Sequence, residues 1–196
     1  MIRSPLSCTR TYSLRLRKAL VGGRVPYPHQ EMPVHPDQSV SVLVDTQNMY
    51  HAAQNLYSNN LDYSSVLEEA TKERRLRRAL AYVVRTDTEE EETFFEALTR
   101  IGFETKVKEM KEYPDGTRKA NWDMGIAIDA ITFAPHLDAM VLCTGDGDFT
   151  RLVHHVREKG VRVEVMGFGS STSSELIEAA DDFIDMSEEP GRFVLG

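Results

Sequence analysis

Residues 139–149 read Ala139-Met140-Val141-Leu142-Cys143-Thr144-Gly145-Asp146-Gly147-Asp148-Phe149. The apolar run at its start is too short for a helix and suits a buried strand. It stops at a threonine and a glycine, and two aspartates then bracket a second glycine. A helical pattern follows, expected over residues 148–159, with Phe149, Leu152, Val153 and Val156 on one face and Gly160 as its stop. A buried strand feeding directly into a helix is half of a parallel βαβ unit.

The same alternation extends both ways. Downstream, residues 161–166 read as a strand, 174–180 as a short helix and 183–184 as a last short strand. Upstream, Ser39 through Val44 is a β-branched, apolar strand that ends at Asp45, and a helix is expected over 48–57. A second helical stretch covers 63–77, with Val66, Leu67, Ala70 and Leu76 at helical spacing, and a buried strand covers 78–85. Thr88 followed by four glutamates opens another helix, because acids favour the positive end of the helix dipole; Gly102 closes it. Residues 103–110 form a strand whose charges suit a sheet edge, and Pro114-Asp115-Gly116 is a turn. Residues 122–133 are apolar on most sides and predict a well-buried helix. The expected fold is α/β, a three-layer α/β/α sandwich around a mostly parallel sheet.

Composition bounds the rest. The chain has 196 residues, 41% of them hydrophobic and 28% charged, enough for one domain with a real core. No apolar run is long enough to cross a membrane. Cys8 and Cys143 cannot make a disulfide scaffold or a four-cysteine zinc site, so a reducing compartment is expected. The net charge is −8, unevenly placed: residues 1–38 carry six basic groups against Glu31 and Asp37, leaving 17 basic and 29 acidic groups on the remainder. An acidic body does not coat nucleic acid through bulk charge. Residues 1–38, rich in Arg, Ser and Pro, read as a disordered basic arm, an organellar targeting segment or sequence upstream of the true start. The domain proper is expected over 39–186, with 187–196 as a tail. The location is expected to be cytoplasmic, or organellar if the arm directs import.

In open parallel sheets, ligands sit beyond the carboxyl ends of the strands. There stand Asp45, with Asn48 three residues on, and the pair Asp146 and Asp148; Asp123 opens the helix before residues 139–143. Four carboxylates converging at one end repel one another and persist cheaply around a divalent cation. Oxygen donors without Cys or His point to Mg²⁺ or Mn²⁺. Each acid also has a plain reading as a helix cap or first-turn acid. Asp129 lies about 120° round the helix from Asp123 and suits a structural or supporting role. Arg118 and Lys119 lie just before Asp123 and could guide a polyanion; Lys106, Lys108 and Lys111 could track a phosphate backbone or form a solvated hairpin surface. The cluster Lys72, Arg74, Arg75, Arg77 and Arg78 reads as a solvated helix end; Trp122 and Tyr113 could stack bases, with core the favoured reading for Trp122. The glycines 145 and 147 would let a metal or phosphate approach the backbone. The six histidines show no ligand spacing, and no Walker-type phosphate loop occurs.

At these residues a family resemblance becomes visible. Val42-Leu43-Val44-Asp45-Thr46-Gln47-Asn48 resembles the opening of the NYN domain, whose LabA-like branch belongs to the PIN-like ribonuclease superfamily. Lys119 through Ala130 is similar to that branch's Lys-x-x-x-Asp…Asp-Ala segment, and Thr144-Gly145-Asp146-Gly147-Asp148-Phe149 to its Ser/Thr-Gly-Asp-x-Asp-Phe signature. Thr46-Gln47 departs from the glycine and polar residue common in that branch. The resemblance covers about residues 39–186. It implies a PIN-like sandwich, Mg²⁺ or Mn²⁺ at Asp45, Asp123, Asp146 and Asp148, assistance from Asn48, and cleavage of RNA phosphodiesters. The rival expectation is a regulatory or RNA-binding module that keeps the acidic pocket without turnover. A protein partner or a second copy of the chain is left open, and no membrane is expected.

Overall fold

The computed structural model describes residues 35–85, 89–112 and 118–196. The chain alternates as expected: β1 (Ser39–Asp45), α1 (Thr46–Tyr57), α2 (Tyr63–Thr71), β2 (Arg75–Arg85), α3 (Glu89–Ile101), β3 (Glu104–Glu109), a small hairpin of β4 (Lys111–Glu112) and β5 (Arg118–Lys119), then α4 (Asp123–Phe133), β6 (Ala139–Cys143), α5 (Thr150–Glu158), β7 (Arg162–Gly167), α6 (Ser174–Ala179), β8 (Asp182–Asp185) and α7 (Pro190–Phe193). Thr88 and residues 113–117 lie outside the described residues.

The main sheet has the order β3-β2-β1-β6-β7-β8, and every pairing in it is parallel. The chain starts in the middle, builds outward to β3, then returns to the other side of β1. The connections therefore diverge between β1 and β6, which opens a crevice at their carboxyl ends. Val44 pairs with Cys143, so Asp45 and Thr144 both lie at that crevice.

Strand alternation sorts side chains into two cores. Val40, Val42 and Val44 pack with Met49, Ala53, Val66 and Leu98 under α1, α2 and α3. Leu43, Leu80, Leu142 and Val163 pack with Ile126, Phe149, Val153 and Leu176 under α4, α5 and α6. These are the two outer layers of the sandwich. Among the described residues no helix is long and apolar enough to cross a membrane.

Four local expectations are corrected. The second helix stops at Thr71, not Arg77: Lys72 (φ 43°) and Glu73 (φ 63°) turn left-handed, and Arg75, Arg77 and Arg78 run on in β2. The reason is Arg74, which is buried rather than solvated. Its Nη1 and Nη2 donate to Glu164 Oε1 and Oε2 of β7 at 2.9 and 2.8 Å, and Nη2 also donates to the Ala70 carbonyl. Second, α4 is not well buried. Ile126 and Ala130 face the sheet, but Met124, Ile128 and Ile131 are 72, 57 and 45% exposed on the outer face. Third, a short 3₁₀ turn over Gly147–Phe149 precedes α5, so that helix starts at Thr150. Residues 187–196, expected as a tail, include α7: Phe193 is buried, its carbonyl accepts from the Asp62 N–H at 2.8 Å, and Arg192 pairs with Glu69 of α2 at 2.8 Å.

Candidate functional site

Asp45 ends β1 and caps α1, its Oδ1 accepting the Asn48 N–H at 3.2 Å. The Asn48 side chain in turn reaches across the crevice, where Oδ1 accepts the Gly145 N–H at 2.8 Å. Beyond β6 the chain folds back on itself. The Asp146 N–H donates to Thr144 Oγ1 at 3.2 Å, and Asp146 Oδ1 accepts the Asp148 N–H at 2.9 Å. Asp123 is the first residue of α4, and its Oδ2 accepts from Asn121 Nδ2 at 2.7 Å. Asp146 is half-buried and Asp148 exposed.

These acids act on one another. Burial pushes the Asp45 carboxyl up to about 6, with the charges of Asp123 and Asp146 adding to it; backbone hydrogen bonds from Asn48 and Gln47 work the other way. Burial also raises Asp123, followed by repulsion from Asp146 and Asp148, while its own backbone N–H and Lys108 oppose. Asp45, Asp123, Asp146 and Asp148 thus share one electrostatic neighbourhood fed by three separate elements. They do not form a ready-made cage: among the described residues, no three His, Cys, Asp or Glu side chains gather closely enough to hold an ion between them. The donors are hard oxygens. Such a set fits a small divalent cation that keeps several of its waters and takes few direct protein ligands.

Packing demands both glycines of this loop. A Cβ on Gly145 would lie about 2.4 Å from the Ser171 carbonyl oxygen, and one on Gly147 about 2.9 Å from Ser173 Oγ. Both glycines let the Asp146 loop pack against the segment after β7, whose Ser173 N–H donates to the Gly145 carbonyl at 2.9 Å. Asp185 anchors that segment, Oδ1 accepting the Gly169 N–H at 2.9 Å. Neither contact has a signature in the sequence, because each joins segments that only the fold brings together.

Asp129 stands apart from the acidic group. Its Oδ2 accepts from the Tyr82 hydroxyl at 2.9 Å and lies 3.5 Å from Lys106 Nζ. Lys108 Nζ donates to the Asn121 carbonyl at 2.8 Å and sits 5.5 Å from the Trp122 ring. Trp122 is half-buried, and its Nε1 donates to the Val83 carbonyl. Lys106 and Lys108 therefore hold protein groups. Arg118 and Lys119 place their backbones in β5, just before Asp123; their side chains, those of Lys111, and Tyr113 lie outside the described residues.

Clefts occur elsewhere among the described residues. One, of about 550 Å³, lies between the end of α5 and the start of β7, lined by His154, Arg157, Arg162 and Asp181. Another, of about 460 Å³, lies between α3 and β3. In the first, Arg157 is tied to Asp181 and Arg162 to Glu164 and Asp182, so its cations are already neutralised. Neither cleft is lined by the acidic group, of which Asp45, Asp123 and Asp146 are half-buried and Asp148 is exposed.

Comparison with known proteins gives a consistent result. The chain is 30% identical over 159 residues to the low amplitude and bright protein LabA of Synechococcus elongatus, covering 76% of this chain and 84% of that protein. It is 30% identical over 96 residues to an uncharacterized protein of Methanocaldococcus jannaschii, covering 48% of this chain and 36% of the other. A crystal structure of a protein of unknown function from Vibrio parahaemolyticus superposes with a TM-score of 0.76 at 34% identity, over 84% of this chain and all of that one. Residues 39–187 match the NYN domain, a span running from the first residue of β1 past the last strand of the sheet, and the chain belongs to the NYN domain family.

Proposed function

We propose that this NYN domain is a metal-dependent ribonuclease that hydrolyses RNA phosphodiester bonds at the crevice between β1 and β6. The observation that carries the reading is the mutual repulsion of Asp45, Asp123 and Asp146, brought together from β1, α4 and the loop after β6. Acids placed side by side weaken a fold unless positive charge offsets them. The family's place among PIN-like nucleases supports the same chemistry.

Asp45, Asp123, Asp146 and Asp148 would hold Mg²⁺ or Mn²⁺, in part through water, and the bound ion supplies charge for the phosphoryl oxygens and a more acidic water. The chain's own residues do the positioning. Asn48 keeps the Asp146 loop against the end of β1. Asp123 orients the attacking water, and Arg118 and Lys119 guide the RNA strand toward it. The water oxygen bonds to phosphorus, the phosphorus–oxygen bond to the departing sugar breaks, and the water's proton passes to the carboxylate group while the departing oxygen is protonated from solvent.

The test is cleavage of single-stranded and structured RNA by the full chain with Mg²⁺ or Mn²⁺, beside EDTA and beside Asp146→Asn. The asparagine keeps an oxygen to accept the Asp148 N–H, so the turn survives while a charge is lost. Cleavage that disappears in both controls supports the proposal. Among the described residues no preassembled three-ligand group occurs, which favours a second reading, a non-catalytic RNA-binding or regulatory module. RNA bound by wild type but left intact in both metals establishes that reading instead.

A further inference from the structure

Two lysines and a carboxylate hold α4 to the sheet edge. Helix α4 carries Asp123 on its first residue, so the acid is placed only as well as the helix is. Apolar packing alone fixes α4 loosely. Of its residues only Ile126 and Ala130 are fully buried, and the opposite face exposes Met124, Ile128 and Ile131. Such a face resists lifting off the sheet but does little against rolling or sliding.

Polar latches from β2 and β3 supply the missing constraint. At the start of the helix, Trp122 Nε1 donates to the Val83 carbonyl at 2.8 Å. The Trp122 ring lies over Gly125, where a Cβ would come about 2.5 Å from the ring. Lys108 Nζ donates to the Asn121 carbonyl at 2.8 Å, and Asn121 Nδ2 donates to Asp123 Oδ2 at 2.7 Å. Nearly two turns further on, the Tyr82 hydroxyl donates to Asp129 Oδ2 at 2.9 Å, with Lys106 Nζ 3.5 Å from the same oxygen. Two separated tethers on one side of a helix fix both its rotation and its axial position. We propose that Lys108 and Asp129 are positioning residues for Asp123, acting through Asn121 and Tyr82, and that the edge strand β3 thereby sets the geometry of the acidic site rather than contacting RNA.

This rests on the ribonuclease reading, and the experiment separates the two. Full-length wild type, Lys108→Met, Lys108→Arg, Asp129→Asn and Tyr82→Phe are compared by Mn²⁺ binding, followed by the electron paramagnetic resonance of the free ion, and by kcat and KM for RNA. Thermal melting reports folding, and Tyr82→Phe, which removes one hydroxyl from a fully buried ring, is the variant least able to perturb it. The expected result is weaker Mn²⁺ binding and a kcat lower by on the order of tenfold in Lys108→Met, Asp129→Asn and Tyr82→Phe, with KM little changed and Lys108→Arg restoring most of the loss. A Lys108→Met variant with raised KM and unchanged Mn²⁺ binding makes the lysine a substrate contact and overturns the proposal. So do variants indistinguishable from a wild type that binds Mn²⁺ and cuts RNA, in which case the ribonuclease reading stands alone. A wild type that neither binds Mn²⁺ nor cuts RNA removes both.

Discussion

The Asn48 side-chain oxygen accepts the Gly145 N–H at 2.8 Å, and with this bond the carboxyl end of β1 is tied to the loop that carries Asp146. The two residues are 97 positions apart. The bond spans the one place in the sheet where neighbouring strands leave in opposite directions, so nothing in the backbone ladder does the same work.

Removing that acceptor should therefore cost more function than stability. Asn48→Ala leaves a half-buried N–H without its partner, a loss of about 1–2 kcal/mol. The Asp146 loop is then free to shift, and misplacement by about 1 Å can cost on the order of a hundredfold in rate. The expected outcome is a melting temperature lowered by several degrees with RNA cleavage reduced by a much larger factor. Equal stability and equal rate in Asn48→Ala would show that the bond positions nothing.

The Asp45 carboxyl gives a pH signature. It is raised from 3.8 to about 6 in the folded chain, chiefly by burial. The folded state thus holds this proton more tightly than the unfolded state, and stability falls as pH rises from about 4 to 6 before levelling off above. At neutral pH the ionised carboxylate costs about 3 kcal/mol, an order-of-magnitude conversion of that shift. Asp45→Asn removes the charge, and asparagine remains a good N-cap for α1. In EDTA at pH 7.5, Asp45→Asn should be more stable than wild type, and the gap should close below about pH 4. Denaturant midpoints measured across this range check it; a gap that is flat with pH would show that burial does not burden Asp45.

Gly145 tests the packing of the same loop. An added Cβ meets the Ser171 carbonyl oxygen at about 2.4 Å, and a backbone atom cannot swing aside as a side chain can. Gly145→Ala should cost about 1–3 kcal/mol and displace Asp146. Metal-dependent cleavage should fall in samples that circular dichroism shows to be folded. An alanine variant with wild-type melting and wild-type rate would mean that the segment after β7 yields freely.

The parts of this molecule visible in the sequence are those with local causes. Short apolar runs ending in Asp45 and at Thr144 betray parallel strands, and the strand-end rule then finds Asp45, Asp146 and Asp148 without any structure. The misreadings share one origin. Lys72, Arg74, Arg75, Arg77 and Arg78 look like a solvated helix end because basic residues are ordinarily wet; the partner that buries Arg74 is Glu164, 90 positions away. Helix α4 looks buried because it is apolar all round, yet among the described residues no further layer covers Met124, Ile128 and Ile131. Lys106 and Lys108 read equally as a phosphate track or a solvated hairpin surface because their acceptors, Asp129 and the Asn121 carbonyl, are set by how α4 lies on β3.

The Arg74–Glu164 pair supplies the strongest stability prediction. Both side chains are essentially inaccessible, at 0 and 1% exposure, and the geometry is bidentate. Burial alone would raise the Glu164 carboxyl, but hydrogen bonds and charge from Arg74, and then from Arg162, prevail and hold it below its usual value. Glu164→Ala leaves the Arg74 guanidinium buried with only the Ala70 and Thr71 carbonyls to accept from it. Breaking one side of a buried pair costs about 3–5 kcal/mol, a large share of a small domain's total stability. The double variant Arg74→Met with Glu164→Leu removes both charges and fills the space, so it should recover much of the loss. Urea midpoints for the single and double variants decide it. If the double variant is no more stable than Glu164→Ala, the cost lies in lost packing at the joint between α2 and β2 rather than in a stranded charge.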